Sequence, residues 1–254
     1  MSDRELVRVE RDGDVALVVL QRPEARNAMN EAMATATCDA IAACQDAACM
    51  VLTGEDPAFC AGLDLRDLGV GTLAELPGFI AAAASSQVPI IAAVNGPAVT
   101  GGFELALACD FIVASERAAF ADTHLRVGVY PGPVLVDLPR RVGEAWAREM
   151  SLTGDFVDAA TALRIGIANH VVAHEDLIPF ALRKAHAIAE QPRAMVATMR
   201  QDWEATVGTP RREARRIHAE HAVTASASTM PTGASIASHR EEVITRAKAS
   251  RGGR

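Results

Sequence analysis

Aromatic side chains are scarce: they make up 4% of the 254 residues, and there is one tyrosine. Half of the chain is hydrophobic, so core packing leans on Ala, Val, Leu and Ile. Positive charge is also in deficit. A formal charge of −7 excludes a scaffold that tracks nucleic-acid phosphates, which needs a basic stripe. It leaves room for a phosphorylated ligand, for which a local cluster of Arg or Lys suffices. No run reaches the roughly 18 apolar residues of a membrane helix. The start, Met1–Ser2–Asp3–Arg4–Glu5, is charged and has no apolar signal core. The five cysteines are odd in number and lack zinc-site spacing, which fits reduced thiols in a cytoplasmic protein. No G-x-G-x-x-G follows a strand and no P-loop is present, which excludes the two commonest phosphate-binding loops. At this length the chain forms one large domain or two small ones, and either buries a real core.

Short apolar runs recur at Val15–Leu20, Ala48–Thr53, Val88–Val94 and Asp110–Ala114. Each reads as a strand, and each is followed by a polar or Gly-containing turn and then a helical stretch. Such repetition predicts stacked turns of β with α. Asn30 is placed to cap a helix through about Ala43; Cys38, Cys44 and Cys49, in this helix and the next strand, read as core or half-buried thiols. Asp158 and Gly166 bracket a further helix as N-cap and C′ residues. A last short strand covers Ile167 to Val172. From Glu175 on the pattern is helical, with breaks at Pro192 and Pro210.

The central stretch is Ala93–Val94–Asn95–Gly96–Pro97–Ala98–Val99–Thr100–Gly101–Gly102–Phe103–Glu104–Leu105. A buried strand ends at Asn95, and a Gly pair opens a helix with Glu104 in its first turn. Unpaired N–H groups at a helix start, with glycines that permit close approach, suit an oxygen that carries or develops negative charge. The same pattern also serves as a plain strand-to-helix turn with a surface glutamate. A second segment, Ala58–Phe59–Cys60–Ala61–Gly62–Leu63–Asp64–Leu65, follows another apolar strand.

Together these two segments resemble the crotonase (enoyl-CoA hydratase/isomerase) family, in which they jointly build an oxyanion hole. The likeness runs from about Val7 to the region of Arg216. It implies an α/β fold, a crotonase-like (ClpP/crotonase) spiral of repeated ββα units with a C-terminal helical region. The core is expected over residues 1–200, and a helical, oligomerisation segment with a flexible tail over 201–254. By position, the two hole donors are the backbone N–H groups of Leu63 and Gly101. The turn Arg22–Pro23–Glu24–Ala25–Arg26–Asn27–Ala28–Met29 matches the family's coenzyme A cleft. Hence Ala25, Arg26, Ala28, Ala61, Gly62, Asp64, Leu65, Tyr130 and Gly132 are candidate substrate-binding residues. Arg26 either meets a phosphate, which its guanidinium suits, or is a solvated turn residue. The stretch between Asp67 and Ser86 is expected to border the acyl pocket as a loop and a helix.

The chain departs from the family at one informative place. Aligning Phe120, Gly128, Pro131 and Gly132 puts His124 where the family carries its second catalytic glutamate. The resemblance implies that Glu104 is an acid/base at a thioester enolate. His124 either completes the pair, since imidazole titrates near neutral pH, or lines the pocket while Glu104 works alone. Asp122 is a further polar candidate. The other six histidines (His170, His174, His186, His218, His221 and His239) show no ligand spacing, and no metal is expected. The implied function is hydration or isomerisation of a 2-enoyl-CoA, with no separate cofactor because coenzyme A belongs to the substrate. The rivals are decarboxylation or hydrolysis of an acyl-CoA on the same scaffold, and a non-catalytic CoA-thioester binding subunit. Homotrimers or dimers of trimers are implied, with neither nucleic acid nor membrane as partner.

Overall fold

The computed structural model describes residues 5–64, 66, 78–229, 240 and 244, with residues 224–229 as backbone alone. Expectations for Met1–Arg4, Leu65, residues 67–77, His239 and the tail from Met230 lie outside the described residues, Arg240 and Ile244 apart. In chain order the elements are β1 (Val7–Asp12), β2 (Val15–Leu20), α1 (Glu31–Ala43), β3 (Cys49–Gly54), α2 (Phe79–Ala84), β4 (Ile90–Val94), β5 (Pro97–Val99), α3 (Gly101–Leu107) and β6 (Phe111–Ser115). Then follow β7 (Ala119–Ala121), α4 (Val134–Val142), α5 (Glu144–Thr153), β8 (Val157–Asp158), α6 (Ala159–Ile165), β9 (His170–Val172), α7 (Leu177–Ala189), α8 (Arg193–Thr206) and α9 (Arg211–Thr229).

Six strands form one sheet in the order β1-β2-β3-β4-β6-β9, and three short ones form another in the order β5-β7-β8. In the larger sheet β1 runs antiparallel to β2, and every other pairing is parallel. Parallel strands covered on both faces need apolar side chains at successive positions. That is why β2, β3, β4 and β6 stand out as apolar runs. β1 does not, because Val7 is its one buried residue; it is an edge strand held by its hairpin to β2. The strand expected from Ile167 is confined to His170–Val172.

Side chains alternate across the large sheet. Ala16, Val18, Leu20, Met50, Leu52, Ala92, Val94, Ile112 and Ala114 join the main core with Met33, Phe103 and Phe120. Val15, Cys49, Val51, Ile91, Ala93 and Val113 face the other way, onto Leu177, Ala181 and Ala185 of α7. A one-residue slip in register would exchange the two sets. Caps sit where the sequence places them: Asn30 accepts from Met33 N at 2.9 Å and Asp158 from Thr161 N at 2.8 Å. Gly166 ends α6 in the left-handed region at φ 91°.

The chain divides into two compact units, one ending at Glu190 and the other starting at Gln191. The boundary expected at residue 200 falls inside α8. Within the second unit α8 packs on α9, and Asp202 takes hydrogen bonds with His218 (2.7 Å) and His221 (3.0 Å). All five cysteines are free thiols. Among the described residues no helix is long and apolar enough to cross a membrane, and no group of side chains forms a metal cluster.

Candidate active site

The site is built where one strand–strand–helix unit, β4–β5–α3, meets the segment after β3. Residues 58–60 run beside β5: Phe59 N and Cys60 N donate to Pro97 O, and Val99 N donates to Cys60 O at 3.0 Å. Glycines allow the approach. A Cβ at Gly102 would lie 2.1 Å from the Cys60 carbonyl oxygen, which is backbone and has nowhere to go. Gly62 has φ 87°, and a Cβ there would lie 2.0 Å from Thr100 Oγ1 and 2.8 Å from Val99 O. Thr100 itself holds φ 48° and ψ −117°. That conformation costs on the order of 1–3 kcal/mol for a β-branched residue and persists only where packing imposes it. The strain sits immediately before α3.

These contacts bring Leu63 and Gly101 together. Gly101 N is 3.3 Å from the Cβ position of Gly62, and Gly62 Cα is 3.7 Å from that of Gly101. Neither Leu63 N–H nor Gly101 N–H donates to an acceptor among the described residues. Both residues line a cleft of about 250 Å³ with Gly78, Phe79, Ile80, Glu104, His124, Val129, Tyr130, Gly132 and Pro133. Thus α2 borders the cleft, as expected for the stretch before Ser86. A smaller chamber of about 70 Å³ adjoins it across Leu63 and His124 and includes Ala61, Thr100 and Thr123.

Glu104 is 4% exposed. Its Oε1 accepts from Val134 N at 3.1 Å, and a Cβ at Gly132 would lie 2.9 Å from that oxygen. Burial raises the Glu104 carboxyl above the usual range, while the Val134 N–H and the charge of His124 pull it back only in part. His124 Nε2 lies 3.8 Å from Glu104 Oε2, and His124 Nδ1 lies 2.6 Å from Asp122 Oδ1. Burial alone would lower the imidazole; the hydrogen bond to Asp122 and the charges of Glu104 and Asp122 outweigh it and leave His124 raised. Burial pushes the Asp122 carboxyl up, but the hydrogen bond with His124, with the Ser151 side chain nearby, brings it below its ordinary value. Glu104 and His124 of the cleft therefore stand in a row with a second carboxylate, Asp122, which is buried behind the imidazole.

Other candidates are placed differently. Asp64 is not among the residues lining the cleft: it is buried, pairs with Arg22 at 2.7 Å and accepts from Arg66 N. Ala25, Arg26 and Ala28 are likewise absent from both clefts. Their turn is tied to the segment carrying Leu63 by Ala61 N to Arg26 O at 3.0 Å and Met29 N to Gly62 O at 2.7 Å. The unpredicted member here is Asn27. Fully buried and left-handed at φ 56°, it donates to Glu55 O (2.8 Å) and Ala58 O (2.7 Å) and accepts from Arg22 N. Tyr130 is 84% exposed at the rim of the cleft.

Asn95 ties the two site-bearing segments together at their roots. Its Nδ2 donates to Asp56 Oδ1 at 2.8 Å, and Asp56 Oδ2 pairs with His174 Nε2 at 2.9 Å. Asn95→Ala should cost about 1 kcal/mol of stability. That is the low end for a lost buried hydrogen bond, because the substitution also removes a buried Oδ1 that has no partner among the described residues. Urea unfolding of the two proteins measures the difference; equal midpoints would contradict the tie.

Repeated strand–strand–helix units and two turns meeting beside a buried glutamate define the crotonase class of α/β protein. The family model for enoyl-CoA hydratase/isomerase matches residues 10–237. A probable enoyl-CoA hydratase of Rhizobium meliloti (strain 1021) is 39% identical over 226 residues, covering 84% of this chain and 88% of the relative. Among solved structures, a probable enoyl-CoA hydratase/isomerase from Mycobacterium abscessus superposes with a TM-score of 0.84 at 28% identity, over 93% of this chain and 96% of that one. An enoyl-CoA hydratase from Mycobacterium tuberculosis H37Rv gives 0.71 at 40% identity, over 86% and 96%. The chain belongs to the enoyl-CoA hydratase/isomerase family.

Proposed function

We propose that the protein hydrates 2-enoyl-CoA thioesters, with Glu104 and His124 as the acid–base pair. The hydratase names of its relatives support the reaction class. The observation that carries the assignment of residues is the 3.8 Å approach of His124 Nε2 to Glu104 Oε2 inside a cleft that also includes Leu63 and Gly101. In this reading the thioester oxygen accepts from Leu63 N–H and Gly101 N–H. Two fixed amides in a water-poor cleft stabilise the charge that develops there by several kcal/mol, about 3 for each donor. Glu104 takes a proton from water as its oxygen adds to the β-carbon. The electron pair of the double bond moves toward the thioester oxygen, giving an enolate. His124 then delivers a proton to the α-carbon as the carbonyl re-forms. Water has been added in full; a proton passed from Glu104 to His124 restores the resting state. The small chamber beside His124 has Thr100 and Thr123 among its lining residues and is large enough for about two waters.

The active form pairs an ionised Glu104 with a protonated His124. As pH falls through the raised value of Glu104, the base is lost; as pH rises through the raised value of His124, the acid is lost. Initial rates with crotonyl-CoA, followed by loss of the conjugated thioester absorbance, should give a bell. Its acid limb lies above the ordinary glutamate value and its alkaline limb above the ordinary histidine value. An absence of turnover with saturable binding of crotonyl-CoA would instead support the binding-subunit reading. Retention of full hydratase activity by His124→Ala would leave Glu104 as the sole acid–base group.

The same reading makes the protein a cytoplasmic enzyme that needs no separate cofactor. It also makes it a homotrimer or dimer of trimers. Light scattering should return three or six times the 26.8 kDa chain mass; a monomer would contradict this part of the proposal.

A further inference from the structure

We propose that Asp122 is a positioning residue: it holds the His124 ring with its Nδ1 proton directed at Asp122 Oδ1, so that Nε2 is the proton-exchanging atom turned to Glu104. This inference rests on the acid–base reading above for its kinetic consequence, but not for its structural content. Three observations carry it. Asp122 Oδ1 lies 2.6 Å from His124 Nδ1, within the range of a charge-assisted bond. The carboxylate is 1% exposed, so water does not compete for that proton. Finally, the chain bends so that residues two apart share one bond. Asp122 follows the end of β7, His124 opens a 3-10 turn over His124–Val127, and His124 N also points to Asp122 Oδ1 at 3.4 Å.

An imidazole has two nitrogens, and the hydrogen bond made by one decides what the other does. With Nδ1 held by Asp122, Nε2 is the atom that gains and loses a proton on the cleft side. A glutamate at this position would need no such orienting partner, since its carboxylate oxygens are equivalent. Histidine does, and Asp122 supplies it.

Among the described residues the titratable groups near the ring are few. Glu104 comes from α3, Asp122 from the end of β7, and Tyr130 lies across the cleft. Ser151 of α5 is beside Asp122. Arg126, on the same turn as His124, is turned to Thr153 O (3.0 Å) and Asp155 (2.6 Å). Among the described residues lining the cleft no lysine or arginine competes with Asp122 for influence on the ring.

The test combines an activity-independent readout with a kinetic one. Nitrogen-15 NMR of histidine-labelled protein, with His124 assigned by its disappearance in His124→Gln, reports which ring nitrogen carries the proton and where the ring titrates. The wild type should show Nδ1 protonated in the neutral ring and a titration midpoint above that of an ordinary histidine. Asp122→Asn should lower that midpoint by about one pH unit or more. It should also move the alkaline limb of the crotonyl-CoA rate profile down by the same amount, and reduce kcat at least tenfold while KM changes less than twofold. Asp122→Glu should restore part of the midpoint shift. A purely structural Asp122 would alter stability and leave both the midpoint and the limb in place. Finding the wild-type proton on Nε2, or the same midpoint in Asp122→Asn, overturns the proposal. Should Asp122→Asn fail to fold, the wild-type tautomer still decides it. If the protein hydrates no enoyl-CoA, the function reading fails while the NMR result stands by itself.

Discussion

Glu104→Gln should lower kcat for crotonyl-CoA hydration by about 10²- to 10⁴-fold, the usual contribution of a positioned general base, with little change in KM. The replacement is nearly isosteric. Gln can still accept from Val134 N, which bonds Glu104 Oε1 at 3.1 Å, so the shape of the cleft survives while the base does not. The acid limb of the pH profile should vanish in whatever residual activity remains. A variant that turned over at the wild-type rate would remove Glu104 from the chemistry. Burial makes the prediction sharp: at 4% exposure no bulk water or buffer base takes the place of the carboxylate directly.

The second large effect is expected at a residue with no side chain. Gly62→Ala places a methyl group 2.0 Å from Thr100 Oγ1 and 2.8 Å from Val99 O, at a backbone φ of 87° that alanine rarely adopts. A change of rotamer moves the threonine hydroxyl aside, but the Val99 carbonyl is main chain and fixed by the pairing of β5 with β7. The turn carrying Leu63 must therefore move. In the proposed mechanism this displaces one of the two donors to the thioester oxygen, a loss of about 10²- to 10³-fold in kcat. Circular dichroism and the unfolding midpoint separate this from loss of the fold, since a folded variant with unchanged kcat would show that the position of Leu63 N–H is irrelevant.

Much of the scaffold was legible in the sequence because it follows from burial. β2, β3, β4 and β6 are apolar at nearly every position since both faces of a parallel sheet are covered, and no surface strand imitates that. Asn30, Asp158 and Gly166 were legible because a cap is a local device whose partner is three or four residues away. β1 was not, since its one buried residue leaves no pattern and its partner is a neighbouring strand. β5, β7 and β8 are two or three residues long and exist through pairing alone.

For the site, the motif residues were legible and the braces were not. Gly101, Gly102 and Glu104 form a compact local signature. Asn27, Arg22 and Asn95 stand inside recognisable motifs, but the bonds through which they brace the site reach residues 28 to 42 positions away, and nothing local marks those partners. Asp64, which the resemblance places in a binding motif, is paired with Arg22, 42 positions away. The link from Asp122 to His124 spans two residues, and the D-x-H spacing at the end of an apolar strand was the available signal. Thr100 gave no warning, because a β-branched residue is among the last expected at positive φ.

The most direct test of the account is a crystal structure of the protein with an unreactive saturated acyl-CoA thioester in the cleft. The thioester oxygen should lie about 2.7–3.1 Å from both Leu63 N and Gly101 N, with Glu104 and His124 flanking the carbons next to the carbonyl. A thioester oxygen bonded to neither amide, or seated away from Glu104, would contradict it.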